Sequence, residues 1–125
     1  MSDCRLDITL VEDDASLRHA MQRMLEAAGC RVAPYESAEA LLEASMEQAS
    51  QCDCLVFDIG LPGMSGLDLC RTLMAKSPCP PCILITGVDT PGLHSLAEGA
   101  GAHNYLLKPF SGTALLDAIK QTIPL

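Results

Sequence analysis

The stretch CLVFDIGLPG, residues 54–63, places four apolar residues directly before Asp58 and a stiff loop with two glycines directly after it. Four more runs of strand length lie along the chain, at Asp7–Val11, Arg31–Pro34, Cys82–Ile85 and Asn104–Leu107. Each run is followed by a segment with apolar residues at helical spacing. Strands that alternate with amphipathic helices indicate βαβ units and a parallel sheet. The sequence therefore predicts an α/β fold with five short strands, of which Cys54–Phe57 is the third, and five helices.

Capping residues set the ends of the predicted helices. The first helix is predicted from Ala15 to Ala28, with Gly29 as its C-terminal stop. The predicted N-caps are Asp14, Ser37, Thr90 and Ser111. The fourth helix begins with Pro91 and contains Gly92. Because an interior glycine costs roughly 0.5 to 1 kcal/mol relative to alanine, this helix is predicted to be the least stable.

The composition limits the classes of function. The 125 residues fit one domain, residues 1–125, whose core is aliphatic because the chain has only two Phe, two Tyr and no Trp. Eight basic against sixteen acidic residues give a formal charge of −8, which repels nucleic acid. No apolar run approaches the roughly 20 residues needed to cross a bilayer, and the first residues lack a secretion-signal pattern. We therefore expect a cytoplasmic protein that binds neither nucleic acid nor membrane.

Seven cysteines are many for a chain of this length. The number is odd and no secretion signal precedes them, so most are predicted to be reduced core residues. Cys52 and Cys54 form one close pair, and Cys79 and Cys82 form another across two prolines. A redox Cys-x-x-Cys usually begins a helix, whereas the second pair leads into a predicted strand. We interpret it as a proline-stiffened turn, with a redox or zinc role as the alternative.

Side chains suited to phosphoryl or metal chemistry follow four of the predicted strands. Glu12 and Asp13 follow the first strand, Asp58 the third, Thr86 the fourth and Lys108 the fifth. In an open parallel sheet, ligands bind outside the carboxyl ends of the strands. Acidic groups gathered there repel one another unless a cation or proton offsets them, and Mg²⁺ typically takes one or two carboxylates together with phosphate oxygens. The pattern predicts a Mg²⁺ site; the alternative is that the acidic residues only cap the next helix.

Asp58 is the candidate nucleophile of this site. A carboxylate exposed at a crevice beside Mg²⁺ can attack a phosphoryl group, as in aspartyl-phosphate chemistry. Lys108, one of only three lysines, would supply a positive charge, and Thr86 would supply a hydroxyl donor. Taken singly, the three residues have plainer interpretations as a turn former, a surface charge and a strand-end threonine. Their common position at strand ends favours the phosphoryl site.

Taken together, these residues resemble the receiver domain of two-component response regulators, and the resemblance covers essentially the whole chain. The shared motifs are Val11-Glu12-Asp13-Asp14, Asp58 with Pro62-Gly63-Met64-Ser65-Gly66, Thr86-Gly87, and Ala100-Gly101-Ala102 with Tyr105-Leu106-Leu107-Lys108-Pro109-Phe110. The segments at 37–42 and 86–87 are most similar to FixJ-type receivers attached to transcription factors.

The resemblance implies a flavodoxin-like, doubly wound sandwich whose five-stranded parallel sheet has the order 2-1-3-4-5. It implies that Asp58 accepts a phosphoryl group from the phosphohistidine of a sensor histidine kinase or phosphotransfer protein. The protein would then be no enzyme but a regulatory phospho-acceptor that assists its own phosphorylation and dephosphorylation. It further implies that Mg²⁺ is held by Glu12, Asp13, Asp58 and the Gly60 carbonyl.

The resemblance also implies a conformational switch. Thr86 and Lys108 would contact the phosphoryl oxygens, and the Lys108–Pro109 bond would be cis. Phosphorylation adds roughly 1.5 to 2 negative charges, which Thr86 could approach, vacating space for Tyr105. This movement would alter the surface formed by the fourth helix, the fifth strand and the fifth helix. An output domain, a protein partner or a second copy of the chain is expected to bind there.

Two residues depart from the family pattern. Glu12 stands where the family often has aspartate, and its additional methylene is expected to shift metal coordination through a water. Gly60 leaves the position two residues after Asp58 without a side chain. We therefore hypothesise easy access of water to the phosphorylated site and a short-lived acyl phosphate.

Two other functions compete with this interpretation. A magnesium phosphatase or phosphotransferase of similar fold would place its nucleophile in an Asp-x-Asp pattern after the first strand, which Glu12-Asp13-Asp14 does not match. A pseudo-receiver would be a binding module with the fold but without phosphorylation. All of the expected site residues are present, which argues against it.

Overall fold

The computed structural model describes residues 6–44, 52–75, 80–88 and 91–123. Within these ranges strands and helices alternate. The strands are β1 (Asp7–Val11), β2 (Arg31–Tyr35), β3 (Cys54–Asp58), β4 (Cys82–Thr86) and β5 (Asn104–Leu107). The helices are α1 (Ala15–Ala27), α2 (Ala38–Ala44), α3 (Gly66–Met74), α4 (Leu93–Gly99) and α5 (Gly112–Thr122). The α/β prediction is confirmed.

The five strands form one parallel sheet in the order β2-β1-β3-β4-β5. This is the order 2-1-3-4-5 that the resemblance implies. The chain passes outward from β1 to β2 on one side and from β3 to β5 on the other, so the strand order reverses between β1 and β3. A crevice at the carboxyl ends of strands beside such a reversal is the usual ligand site of open α/β sheets. Glu12 and Asp58 lie at this point.

Two hydrophobic layers cover the two faces of the sheet. The layer under α2, α3 and α4 includes Leu55, Phe57 and Leu84 of the strands. The layer under α1 and α5 includes Val56 and Ile83. Every residue of β3 and β4 is buried, as is typical of central parallel strands with helices on both faces. The last residue of β3, Asp58, is therefore presented from a rigid support.

Several of the predicted capping residues are confirmed. The side chain of Asp14 accepts from the Leu17 amide at the start of α1, and that of Ser111 accepts from the Ala114 amide at the start of α5. Ser37 Oγ accepts from the Ala40 amide in the same way. Each cap satisfies an amide that lacks a partner inside its helix.

The predicted start of the fourth helix is wrong. Pro91 and Gly92 precede α4, which begins at Leu93, and Gly92 has φ +85° and no side-chain cap. A residue in the left-handed region cannot continue a right-handed helix, so Gly92 is a boundary and not an interior position. The strands β2, β3 and β4 are also each one residue longer than predicted, because Tyr35, Asp58 and Thr86 pair within the sheet.

Some predictions lie outside the described residues. They concern the N-cap Thr90, residue 79 of the second cysteine pair, and the end of the third helix near residues 77–78. Of the other cysteines, Cys30, Cys54, Cys70 and Cys82 are buried, as predicted for core residues. In the part of the chain that the structure describes, each helix is too short or too polar to cross a bilayer.

Candidate functional site

Three side chains from three different strands converge at the carboxyl edge of the sheet. Lys108 Nζ lies 2.9 Å from Asp58 Oδ2 and 3.1 Å from Glu12 Oε1. Glu12 follows β1, Asp58 ends β3 and Lys108 follows β5, so the three side chains come from three separate strands of the sheet. The predicted assembly of these residues is thus present in the structure.

An acidic cluster occupies the same place. Carboxylate oxygens of Glu12, Asp13 and Asp58 lie within 4.8 Å of one another, with Asp13 exposed and the other two buried. Oxygen ligands at this spacing match a hard divalent cation, which often binds one or two carboxylates and retains water. The exposed Asp13 leaves the cluster open toward solvent on one side.

Glu12 provides a specific test of whether a cation fits. Its side chain is only 1% exposed, and Oε2 accepts from the Asp14 amide at 3.1 Å. Among the described residues no donor is aligned to hydrogen-bond Oε1, although Lys108 Nζ lies nearby. A buried carboxylate is costly to charge unless a cation or proton offsets it, and here one lysine, Lys108, is shared between Glu12 and Asp58. The residues present therefore suit a metal ion.

The protonation behaviour of Glu12 follows from the same surroundings. Burial raises the pKa of Glu12 to about 7, and the charge of Asp58 adds to the rise, while the Asp14 amide and Lys108 oppose it. For the Lys108 ammonium, burial acts to lower the pKa, but Asp58 and Glu12 outweigh burial and raise it. The lysine is therefore charged, and it faces more negative charge than it can balance alone.

The loop after β3 fixes the orientation of Asp58. Oδ1 accepts from the Gly60 amide at 3.0 Å, which leaves Oδ2 facing Lys108. The Ile59 amide continues the β4 pairing by donating to Ile85 O at 2.8 Å. The Gly60 amide and Lys108 thus hold the carboxylate, β4 holds the backbone beside it, and only 6% of Asp58 is exposed.

Gly66, the first residue of α3, is a feature that the sequence analysis left without a role. A Cβ at this position would overlap the carbonyl of Asp58. The start of α3 therefore packs directly on the backbone of the candidate nucleophile. A glycine eight residues after Asp58 was the only sign of this contact in the sequence.

Thr86 ends β4 beside the acidic cluster and is 7% exposed. Its Oγ1 accepts from the Val88 amide at 3.2 Å and donates to Val88 O at 3.4 Å. The hydroxyl thus bonds within its own loop. Tyr105, the other predicted switch residue, is half-buried, and its ring centroid lies 6.0 Å from that of His94 on α4. The structure does not bring Tyr105 into the acidic cluster.

The backbone of Lys108 is fixed on both sides of the residue. Its amide donates to Thr86 O at 2.8 Å, and the Lys108–Pro109 bond is cis, as the resemblance implies. A shallow, mostly apolar groove of about 430 Å³ lies beside the site, lined by Leu17, Gly87, Lys108, Pro109 and Phe110. The ammonium thus lies between the acidic cluster and an open surface.

Comparisons with known proteins agree on one family. Residues 8–120 match the family model described as the response regulator receiver domain. The chain is 34% identical over 125 residues to the C4-dicarboxylate transport transcriptional regulatory protein DctD of Pseudomonas aeruginosa, covering 97% of the chain. It is 31% identical over 118 residues to the transcriptional regulatory protein FixJ of Azorhizobium caulinodans, covering 94% of the chain. The FixJ-type subgroup is not singled out by these values.

A solved structure gives the same result. The response regulator receiver protein from Burkholderia phymatum superposes with a TM-score of 0.82 at 29% identity, covering 97% of this chain and all of that one. The two curated relatives are longer, since the chain spans 26% of DctD and 55% of FixJ.

Proposed function

Because this chain belongs to the response regulator receiver domain family, we propose that Asp58 is its phosphoryl acceptor. Receivers of this family are regulatory parts of two-component systems and not classical enzymes. The observation that carries the proposal is the convergence of Lys108 and Glu12 on Asp58, with Lys108 Nζ 2.9 Å from Asp58 Oδ2. We propose that residues 1–125 act as one receiver domain.

The proposed reaction is a transfer between a phosphohistidine and a carboxylate. An Asp58 oxygen attacks phosphorus, a P–O bond forms, and the P–N bond of the phosphohistidine breaks with its electron pair passing to the imidazole. The Gly60 amide holds Oδ1 in place during the approach. Lys108 neutralises negative charge as its ammonium passes from Asp58 to a phosphoryl oxygen.

We propose that Glu12, Asp13, Asp58 and the Gly60 carbonyl hold Mg²⁺. The bound ion would supply charge neutralisation at the transferred oxygens. Support comes from the acidic cluster and from Glu12 Oε1, which is buried without an aligned donor among the described residues. Asp13 gives the cluster its exposed edge, where solvent and a phosphoryl donor can enter.

Thr86 is the proposed sensor of the phosphoryl group. A new acceptor beside β4 would compete with Val88 for the Thr86 hydroxyl. A hydrogen bond to a charged group contributes about 1.5 to 3 kcal/mol, which is enough to shift a two-state equilibrium. Movement of Thr86 would then change the position of Tyr105 and the surface of α4, β5 and α5.

The partners follow from the family and from the open side of the site. Response regulator receivers interact with histidine kinases and output domains. For this chain we propose that a kinase or phosphotransfer protein delivers its phosphohistidine over the groove between Leu17 and Phe110, which adjoins Lys108. The α4, β5 and α5 surface would contact an output domain, a protein partner or a second copy.

The direct test is phosphorylation by a small donor. The protein is incubated with acetyl phosphate and Mg²⁺, and a mass gain of about 80 Da, one phosphoryl group, is expected. Asp58→Asn should abolish the gain, whereas Asp117→Asn on the exposed side of α5 should retain it. A gain that survives in Asp58→Asn would contradict the assignment of the acceptor. No gain in the unaltered protein would favour the pseudo-receiver.

A further inference from the structure

Glu39, in the first turn of α2, contacts the loop that follows the candidate nucleophile. Its Oε2 accepts from the Met64 amide at 2.9 Å, across 25 positions of sequence. The Met64 amide and then the amide of Glu39 itself lower the pKa of this carboxyl below its ordinary value. The carboxylate therefore joins α2 to the β3–α3 loop, residues 59–65.

The backbone of the loop is shaped to admit this carboxylate. Gly63 has φ +76°, a conformation that favours glycine, and a Cβ added there would lie 2.7 Å from Glu39 Oε2. Gly63 thus supplies the left-handed turn, and its missing side chain leaves room for the Glu39 carboxylate in the position observed.

The two ends of the same loop are attached to the site itself. At the start, the Gly60 amide bonds Asp58 Oδ1 at 3.0 Å. At the end, the Gly66 amide donates to Ile59 O at 3.2 Å, and Gly66 packs on the Asp58 carbonyl. Between these points, the Met64 contact with Glu39 attaches the loop to a different helix.

We propose that Glu39 is a positioning residue for the phosphoryl site, which holds the β3–α3 loop so that Gly60 and Asp58 keep their relative placement. The inference rests on the proposed function, because it assumes that Gly60 contributes to Mg²⁺ binding. A plainer alternative is that Glu39 only stabilises the N-terminal turn of α2, where negative charge is favourable. In that case its loss would affect stability but not the metal.

The test compares four variants of the full chain. Glu39→Ala removes the acceptor, Glu39→Gln keeps an acceptor oxygen at the same reach, and Glu39→Asp keeps the charge but withdraws it by one methylene. Glu43→Ala is the matched control, since it removes the same charge from an exposed position of α2. The measurements are the Kd for Mg²⁺ by calorimetric titration, solvent exchange of the Met64 amide by NMR, and thermal unfolding.

Glu39→Ala is expected to weaken Mg²⁺ binding about three- to tenfold. This is at the low end of, or below, the loss in affinity usually seen when a residue that hydrogen-bonds a metal ligand is removed. Its Met64 amide should exchange faster with solvent. Glu39→Asp should weaken binding as well, Glu39→Gln should lie closer to the unaltered protein, and Glu43→Ala should match it.

Unchanged Mg²⁺ affinity in Glu39→Ala would overturn the proposal, whatever its thermal stability. Equal weakening in Glu43→Ala and Glu39→Ala would overturn it too, because the effect would then be one of net charge. Failure of the proposed function is separately visible, since acetyl phosphate would then give no mass gain at Asp58. The Mg²⁺ and Met64 measurements need no phosphorylation.

Discussion

Asp58 has a different partner on each of its two carboxylate oxygens. The Gly60 amide bonds Oδ1, and Lys108 Nζ lies 2.9 Å from Oδ2. The amide belongs to the loop that follows Asp58, whereas the lysine comes from a different strand. Local structure thus orients the carboxylate, and the tertiary fold sets its electrostatic surroundings.

Thr86→Val tests the proposed sensor. The substitution keeps the shape of the side chain but removes the hydroxyl that now bonds Val88. Phosphoryl uptake at Asp58 should persist. The population of the switched state, which Tyr105 reports, should fall about ten- to a hundredfold, corresponding to about 1.5 to 3 kcal/mol. NMR shifts induced by beryllofluoride measure this response.

Thr86→Ser is the control, because it retains the donor and should retain the response. A full Tyr105 shift in Thr86→Val would show that the hydroxyl is not the sensor.

Gly60→Arg tests the hypothesis of a short-lived acyl phosphate. A Cβ at this exposed position would lie 3.7 Å from Asp58 Oδ1, an ordinary contact, so a side chain can be placed beside the acceptor without strain. The larger side chain should hinder water and lengthen the lifetime severalfold. Loss of the added mass over time measures it, and equal lifetimes in Gly60→Arg and the unaltered protein would count against the hypothesis.

At the scale of elements, α4 differs from its neighbours. It has seven residues, and its N-cap Gly92 supplies no side-chain hydrogen bond. By contrast, α1, α3 and α5 each begin with a side chain that accepts from a helix amide. A short helix without such a cap is held mainly by packing of Leu93 and Ala97. This is suitable for an element whose position changes at low energetic cost.

The glycines at the two ends of α4, Gly92 before it and Gly99 as its last residue, give opposite predictions for stability. Gly92→Ala should lower the free energy of unfolding by about 1 kcal/mol, because φ +85° is unfavourable for alanine. Gly99→Ala should raise it by roughly 0.5 to 1 kcal/mol, because Gly99 is helical and has no neighbour close to an added Cβ. Urea unfolding measures both, and a shift of the same sign in the two variants would contradict the assigned helix boundary.

At the scale of the whole molecule, Mg²⁺ would join the ends of β1 and β3, where the strand order reverses. A ligand that binds only the folded chain stabilises it, by about 2.7 kcal/mol at a concentration one hundred times Kd. Mg²⁺ is therefore expected to raise the midpoint of thermal unfolding, and a chelator should reverse the rise.

The Mg²⁺ effect should also depend on pH. Burial raises the pKa of Glu12 to about 7, so a proton competes with the ion below that value and is absent above it. Stabilisation by Mg²⁺ should accordingly be larger at pH 8 than at pH 6. Asp13→Asn should reduce it, whereas Asp14→Asn should leave it intact, since asparagine can still cap α1. Equal effects of the two substitutions would indicate general electrostatic attraction and no defined site.

The sequence by itself determined the alternation of strands and helices and most helix starts. These features are local, because periodicity and side-chain capping act within a few residues, as Asp14 and Ser111 show. It also indicated which side chains meet, since parallel strands present their carboxyl ends at one edge. The start of α4 escaped prediction because glycine can adopt either hand, and the sequence does not show that Gly92 takes φ +85°.

The tertiary structure alone decided which contacts complete the site. Glu39 approaches Met64, and Gly66 packs on Asp58, only because the fold brings distant segments together. The surroundings of Glu12 Oε1, which has no aligned donor among the described residues, are set in the same way. Burial and distance set these interactions, and neither follows from the spacing of residues along the chain. The order of residues along the chain places Glu12 after a strand, but only packing buries it and makes its charge costly.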